Sequence, residues 1–132
     1  MTETKRILIV DDEESVLFVL NGVLARVSDC HEVDVEMATN GKEALDKALE
    51  GEFNLLITDI RLPGIDGVEL TEKVRRESPT TSVIWITAYG SERLRKDAER
   101  LGVYVCLDKP LEIGQIREVV RAALDESEPS AG

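Results

Sequence analysis

Five polar side chains of this 132-residue sequence stand at the ends of short apolar runs that are typical of strands. In parallel α/β sheets, binding and catalytic groups lie in the crevice outside the carboxyl ends of the strands. We therefore expect three carboxylates, a hydroxyl and an ammonium to meet at one edge of a sheet. Such a set suits a divalent cation and a phosphoryl group. The five residues are Asp11, Asp12, Asp59, Thr87 and Lys109.

The carboxylates also have structural interpretations. Asp11 and Asp12 precede a pair of glutamates, and acidic residues there are favoured as helix N-caps and at the positive end of the helix dipole. Asp59 follows a buried strand, and its structural interpretation is an acid that caps the turn. Burying an acid is costly, however, unless it is paired, solvated or metal-bound. If the first and third strands are neighbours, all three carboxylates converge. Oxygen ligands with open positions then favour Mg²⁺.

Strand-like and helix-like patterns alternate five times along the chain. Between the apolar runs, apolar residues recur at the spacing of amphipathic helices. Nearly all-apolar strands are typical of a sheet that is covered on both faces. The pattern predicts a doubly wound (βα)5 α/β fold, with a five-stranded parallel sheet of order 2-1-3-4-5 and helices on both faces. The strand runs are 7–10, 33–37, 55–58, 83–86 and 103–107.

Length and composition limit the alternatives. We expect one domain over residues 5–125, followed by a polar tail or linker stub at 126–132. The net charge of −11 argues against direct nucleic-acid binding. Cys30 and Cys106 do not make a disulfide framework. Since no apolar stretch approaches a membrane span or a signal peptide, we expect a cytoplasmic protein that does not bind membranes.

Four segments together resemble the receiver domain of bacterial two-component response regulators. Any one of them is a weak signal, but four in the right order, each after the right strand, are highly specific. With their surrounding elements they extend the resemblance over about 5–125. The segments are IVDDE at 9–13, TDIRLPGIDG at 58–67, TAYG at 87–90 and KPL at 109–111.

The resemblance implies how a phosphoryl group would be held. Asp59 would be the phosphoryl acceptor, the Thr87 hydroxyl would contact the incoming group, and Lys109 would pair with another of its oxygens. The bond between Lys109 and Pro110 would be cis. Catalysis would then consist mostly of positioning and electrostatic neutralisation.

The resemblance also implies a metal site. Asp12 and Asp59 would bind Mg²⁺ (or Mn²⁺) directly, together with the backbone carbonyl of Arg61, while Asp11 would act mainly through water. Arg61 and Tyr89 would flank the route of an attacking water, and since neither is an obvious general base we expect slow dephosphorylation.

The implied partners are those of a signalling protein. The phosphoryl donor would be a sensor histidine kinase or a phosphotransfer protein, and the target a downstream output domain or protein. A phosphorylation-dependent homodimer is compatible with this role. The domain would assist its own phosphoryl transfer and dephosphorylation without being an enzyme that turns over a substrate.

One position departs from the family pattern. Three residues before the lysine, the family usually has an aromatic residue that changes rotamer on phosphorylation, whereas this chain has Cys106. Tyr104, two residues earlier, would share a strand face with Cys106 and either substitutes partly or only packs. We therefore count Thr87, Tyr104 and Cys106 as the switch residues and expect a muted switch.

Two other classes of function remain open. An aspartate-nucleophile phosphohydrolase would need an acid two residues beyond the nucleophile to protonate a leaving group, but Arg61 stands there. A nucleotide- or flavin-binding module would need a glycine-rich loop after the first strand, where this chain has acidic residues.

Overall fold

Five strands and five helices alternate along the chain in the computed structural model, which describes residues 4–25, 32–88 and 90–126. Cys30, Tyr89 and the tail from residue 127 lie outside the described residues. The strands are β1 (Thr4–Val10), β2 (Glu32–Ala38), β3 (Leu55–Asp59), β4 (Ser82–Thr87) and β5 (Val105–Asp108). The helices are α1 (Glu14–Leu24), α2 (Gly41–Glu50), α3 (Gly67–Glu77), α4 (Glu92–Leu101) and α5 (Ile113–Glu126).

The strands form one parallel sheet of order β2-β1-β3-β4-β5, which confirms the predicted topology. At the carboxyl edge, Val10 pairs with Thr58 and Asp59 pairs with Ile86. β1 and β3 are therefore neighbours, and the residues that follow them lie side by side.

Strand residues alternate between two apolar layers because successive side chains point to opposite faces. Ile7, Ile9 and Ile57 pack with buried residues of α1 and α5. Leu8 and Trp85 pack on the other face with residues of α2, α3 and α4. Helices thus cover both faces, as the apolar strands predict. Within the described ranges, no helix has the length and apolar character needed to cross a bilayer.

Helix starts are fixed by side chains that accept a hydrogen bond from an amide three residues later. Asn40 caps α2, Asp66 caps α3 and Ser91 caps α4 in this way. Each bond satisfies an amide that the first turn of a helix leaves without a partner. The cap at Asp66 matters for the site, because it fixes where the segment after β3 turns into α3.

The fifth strand begins two residues later than the sequence pattern predicts. Gly102 ends α4 in the left-handed conformation, with φ 69°, and the amide of Val103 donates to the carbonyl of Ala98. Because the Val103 amide bonds to the end of α4, it is not available for strand pairing. The Tyr104 amide donates to the Val83 carbonyl over 2.7 Å. Tyr104 therefore precedes β5, which starts at Val105, and is not the strand residue that the sequence suggested.

Candidate functional site

Lys109 brings the ends of three strands together. Its amide donates to the carbonyl of Thr87, the last residue of β4, over 2.8 Å. Its Nζ lies 2.8 Å from Asp59 Oδ2 and 3.2 Å from Asp11 Oδ2. The peptide bond to Pro110 is cis, as the resemblance implied. The structure thus brings Asp11, Asp59 and Lys109 of the predicted set together at this edge.

Asp59 is held at both carboxylate oxygens. The side chain is almost fully buried, since the residue is only 5% exposed. Oδ2 accepts a hydrogen bond from Lys109 Nζ, and Oδ1 accepts one from the amide of Arg61 over 3.1 Å. The second bond is the turn-capping role considered for this acid. Because the other oxygen binds a lysine, the residue is both a turn former and half of a buried ion pair.

Asp11 is the most deeply buried acid of the site. Its Oδ1 accepts a hydrogen bond from the Glu13 amide over 2.8 Å. Its Oδ2 is fully buried and forms the ion pair with Lys109, but it has no hydrogen-bond partner among the described residues. Burial, assisted by the nearby charge of Asp59, raises the pKa of Asp11 to about 6, against the lowering effects of the Glu13 amide and Lys109. The negative charge of Asp11 is thus only partly neutralised by Lys109.

Lys109 keeps its charge in this setting. Burial lowers its pKa, but the hydrogen bond to Asp59 and the charge of Asp11 outweigh burial and raise the pKa above its usual value. A third carboxylate, Oε1 of Glu13, lies 3.2 Å from Nζ. One ammonium therefore faces three carboxylates.

A group of acidic side chains at the start of α1 is arranged as a cation site. Asp11, Asp12 and Glu13 each offer a carboxylate oxygen, and these oxygens lie within 4.8 Å of one another. Hard oxygen donors in such a group suit Mg²⁺. The buried Asp11 Oδ2, which lacks a hydrogen bond from the described residues, is a donor that a cation would satisfy.

The interpretation of Asp11 and Asp12 as helix N-caps is wrong, because neither residue is the N-cap of α1. The N-cap of α1 is Glu13, and among the described residues its side chain makes no capping hydrogen bond. Glu13 was not among the residues that sequence reasoning selected, although the run of four acids from position 11 was a signal for it. Asp59 lies outside the compact acidic group, since its Oδ2 is turned to Lys109.

The three predicted switch residues differ in exposure. Thr87 is buried at the end of β4, whereas Cys106 is exposed on β5 and Tyr104 is 37% exposed. Partial desolvation of the thiol by its surroundings, followed by the charge of Asp108, raises the pKa of Cys106. An open groove of about 770 Å³ runs between α4 and β5. Cys106 is among its lining residues, so the small side chain leaves room at the position where the family usually has an aromatic ring.

Sequence comparisons match this chain to response regulators. A sequence profile of the response regulator receiver domain matches residues 7–121. The response regulator protein PilR of Pseudomonas aeruginosa is 36% identical over 96% of this chain, and sporulation initiation phosphotransferase F of Bacillus subtilis is 31% identical over 91%. The chain spans 28% of the first protein and 94% of the second.

A solved structure gives the same result for the fold. The response regulator receiver domain protein (CheY-like) of Methanospirillum hungatei JF-1 superimposes with a TM-score of 0.87. The two chains are 32% identical, and the match covers 95% of this chain and 97% of the other. From its topology, the edge at which Asp11, Asp59 and Lys109 meet, and these matches, the chain belongs to the response regulator receiver domain family.

Proposed function

We propose that the protein is a phosphorylation-controlled signalling switch that accepts a phosphoryl group on Asp59. The observation that carries the proposal is the state of the Asp59 side chain. It ends β3, is nearly buried, and has one oxygen 2.8 Å from an ammonium and the other on a backbone amide. A carboxylate fixed in this way is a positioned nucleophile next to a charge that can neutralise an incoming phosphoryl group.

The residues around Asp59 suit this transfer. A carboxylate oxygen of Asp59 attacks phosphorus while the bond from phosphorus to the donor imidazole nitrogen breaks. The donor imidazole, which carries a proton on its other nitrogen, leaves as neutral imidazole, and an acyl phosphate remains on Asp59. Lys109, which lies 2.8 Å from Asp59, neutralises charge on the phosphoryl oxygens. Thr87, at the end of the adjacent strand, supplies a hydroxyl to the same group.

A divalent cation belongs to this proposal. Asp11, Asp12 and Asp59, with the carbonyl of Arg61, are the residues that would hold Mg²⁺ (or Mn²⁺), and the position of Glu13 adds a further carboxylate. Bound there, the cation supplies charge neutralisation for the phosphoryl oxygens. The three carboxylates around Lys109 exceed its single charge, which supports a need for further positive charge.

The partners follow from the family. We infer that a sensor histidine kinase or a phosphotransfer protein donates the phosphoryl group and that an output domain or protein receives the signal. Several relatives are longer than this chain, which spans 28% of PilR and 53% of transcriptional regulatory protein YkoG. The proposed switch also includes a homodimer that forms on phosphorylation. Its dephosphorylation is slow, because neither Arg61 nor Tyr89 is an obvious general base for water.

Labelling with a small phosphoryl donor tests the acceptor. Mass spectrometry after incubation with acetyl phosphate and Mg²⁺ should show one phosphoryl adduct, which Asp59→Asn should abolish. Asp66→Asn is the matched control, because Asp66 is an exposed acid seven residues along the chain that caps α3, and asparagine caps equally well. An adduct of undiminished yield in Asp59→Asn would refute the assignment. Rapid turnover of acetyl phosphate would favour the phosphohydrolase alternative.

A further inference from the structure

A buried hydrogen-bond chain connects β4 to the first turn of α3. Trp85, the only tryptophan of the sequence, is fully buried, and its Nε1 donates to Thr71 Oγ1 over 2.8 Å. The Thr71 hydroxyl, also fully buried, donates to the carbonyl of Gly67 over 2.7 Å. One hydroxyl therefore accepts from the indole and donates to the helix at the same time.

The first turn of α3, where this series of hydrogen bonds ends, packs against the backbone of Asp59. A Cβ at Gly67 would overlap the carbonyl oxygen of Asp59 and lie 2.8 Å from the Cα of Ile60. The Gly67 amide donates to the carbonyl of Ile60 over 2.8 Å. The Asp59 carbonyl also accepts from the hydroxyl of Thr58 over 2.9 Å. The position of Gly67 thus fixes the main chain of the acid and of the residue after it.

The bond between Thr71 and Gly67 would not by itself indicate a special role, because threonines in helices commonly donate their hydroxyl to the carbonyl four residues earlier. What distinguishes Thr71 from other helical threonines is the second hydrogen bond, which its hydroxyl accepts from the Trp85 indole. Trp85 belongs to β4, two residues before Thr87, so its contact anchors α3 to the strand that carries the hydroxyl of the site. Through the Thr71 side chain, the end of β3 at Asp59 is thereby connected to β4, which ends at Thr87.

We propose that Thr71 is a positioning residue for the phosphoryl acceptor. By binding Trp85 and Gly67 together, its hydroxyl holds the first turn of α3 against Asp59 and sets the direction of the carboxylate. The Arg61 amide, which donates to Asp59 Oδ1, lies in the segment that this turn closes. This inference rests on the function proposed for Asp59. It adds a residue that neither contacts a phosphoryl group nor binds a metal.

The test compares two buried threonines, Thr71 in α3 and Thr81 just before β4. Thr71→Val keeps the shape of the side chain and removes the hydroxyl, whereas Thr71→Ser keeps the hydroxyl. Thr81→Val is the matched control, since Thr81 is 1% exposed and its hydroxyl donates to the Phe53 carbonyl, away from the site. The rate of phosphorylation by acetyl phosphate at saturating Mg²⁺ should fall at least about tenfold in Thr71→Val, because small misplacements of a reacting group have large effects on rate. Thr71→Ser and Thr81→Val should stay within about twofold of the wild type on the same argument.

A spectroscopic measurement separates positioning from loss of stability. The single indole N–H resonance of Trp85 should shift when Mg²⁺ and beryllofluoride, a phosphoryl mimic, are added to the wild type. The shift should be largely lost in Thr71→Val and retained in Thr81→Val. Equal shifts in wild type and Thr71→Val would overturn the inference.

The outcomes distinguish this inference from the proposed function. If the wild type takes no phosphoryl group, the function proposed for Asp59 fails and the inference with it. If the wild type is labelled and Thr71→Val reacts as fast as Thr81→Val, only the inference fails. Should Thr71→Val not fold, Trp85→Phe decides, because it removes the indole donor and keeps an aromatic ring. An unchanged rate in that variant would also overturn the inference.

Discussion

At the scale of single residues, the site is governed by an excess of carboxylates over cationic groups. Lys109 faces Asp11, Glu13 and Asp59, and the most buried of these acids has its pKa raised to about 6 mainly by burial. A raised pKa means that the negative charge of Asp11 is unfavourable in the folded protein. A divalent cation at the acidic group would relieve that cost, so binding of a metal there would be coupled to folding.

This coupling leads to a prediction for Asp12. Asp12→Ala removes an exposed carboxylate of the acidic group, and we expect Mg²⁺ affinity to fall roughly tenfold or more, about 1.4 kcal/mol of binding free energy. Quenching of Trp85 fluorescence by Mg²⁺ measures the affinity. Glu14→Ala is the control, since Glu14 belongs to the same acidic run but not to the group of converging oxygens. Equal affinities in wild type and Asp12→Ala would exclude Asp12 as a ligand.

At the scale of secondary-structure elements, the first residue of α3 packs against the backbone at the end of β3. Gly67→Ala would press a methyl group into the backbone of Asp59 and Ile60, so we expect a loss of at least about 1 kcal/mol in the free energy of unfolding. Gly22→Ala in α1 is the matched control. Apart from its chain neighbours and the nearby backbone of its own helix, no described atom lies within 4 Å of a Cβ added there, and alanine should stabilise by about 0.5–1 kcal/mol.

Urea denaturation of both variants measures this pair of effects. The signs should be opposite, because both glycines lie in helices and only one of them has a backbone against it. Stabilisation by Gly67→Ala would show that α3 can move away from Asp59 without cost. That result would also weaken the positioning role of Thr71, which depends on the same contact.

The second prediction at this scale concerns β5. The groove between α4 and β5 lies open beside Cys106, and Tyr104 precedes the strand with its amide bonded to Val83. Cys106 is too small to fill the space that an aromatic ring would occupy or vacate. We therefore expect structures determined with and without beryllofluoride to differ in the loop after Thr87, with only a small change at Tyr104. A large rotamer change of Tyr104, coupled to Thr87, would contradict this muted switch.

Element order and the meeting of strand ends followed from the sequence, because strand period, helix period and polar strand-end residues are local signals. The start of β5 did not, since the apolar Val103 gives no sign that its amide is taken by α4. The bond between Thr71 and Trp85 could not be predicted from the sequence either. It depends on how α3 is placed over β4, which no local pattern encodes.

At the scale of the whole molecule, the charge of −11 arises from 27 acidic and 16 basic residues. Some acids are compensated locally, as where Arg6 lies beside Glu36 and Arg100 beside Glu72. The excess still repels itself in the compact state, and monovalent salt screens that repulsion over about 10 Å at 0.1 M. Salt and a site-bound cation should thus stabilise the fold by separable routes.

Thermal unfolding at pH 7 separates the two routes. Raising NaCl from about 0.01 to 0.15 M should increase Tm in the wild type and in Asp12→Ala alike, because screening acts on the whole surface. Adding Mg²⁺ at constant ionic strength should raise Tm further in the wild type, following RT ln(1 + [L]/Kd) with the Kd measured by fluorescence. The same addition should have little effect in Asp12→Ala. If Mg²⁺ stabilises both proteins equally, its effect is diffuse screening of an acidic surface, and the acidic group at the start of α1 is not its binding site.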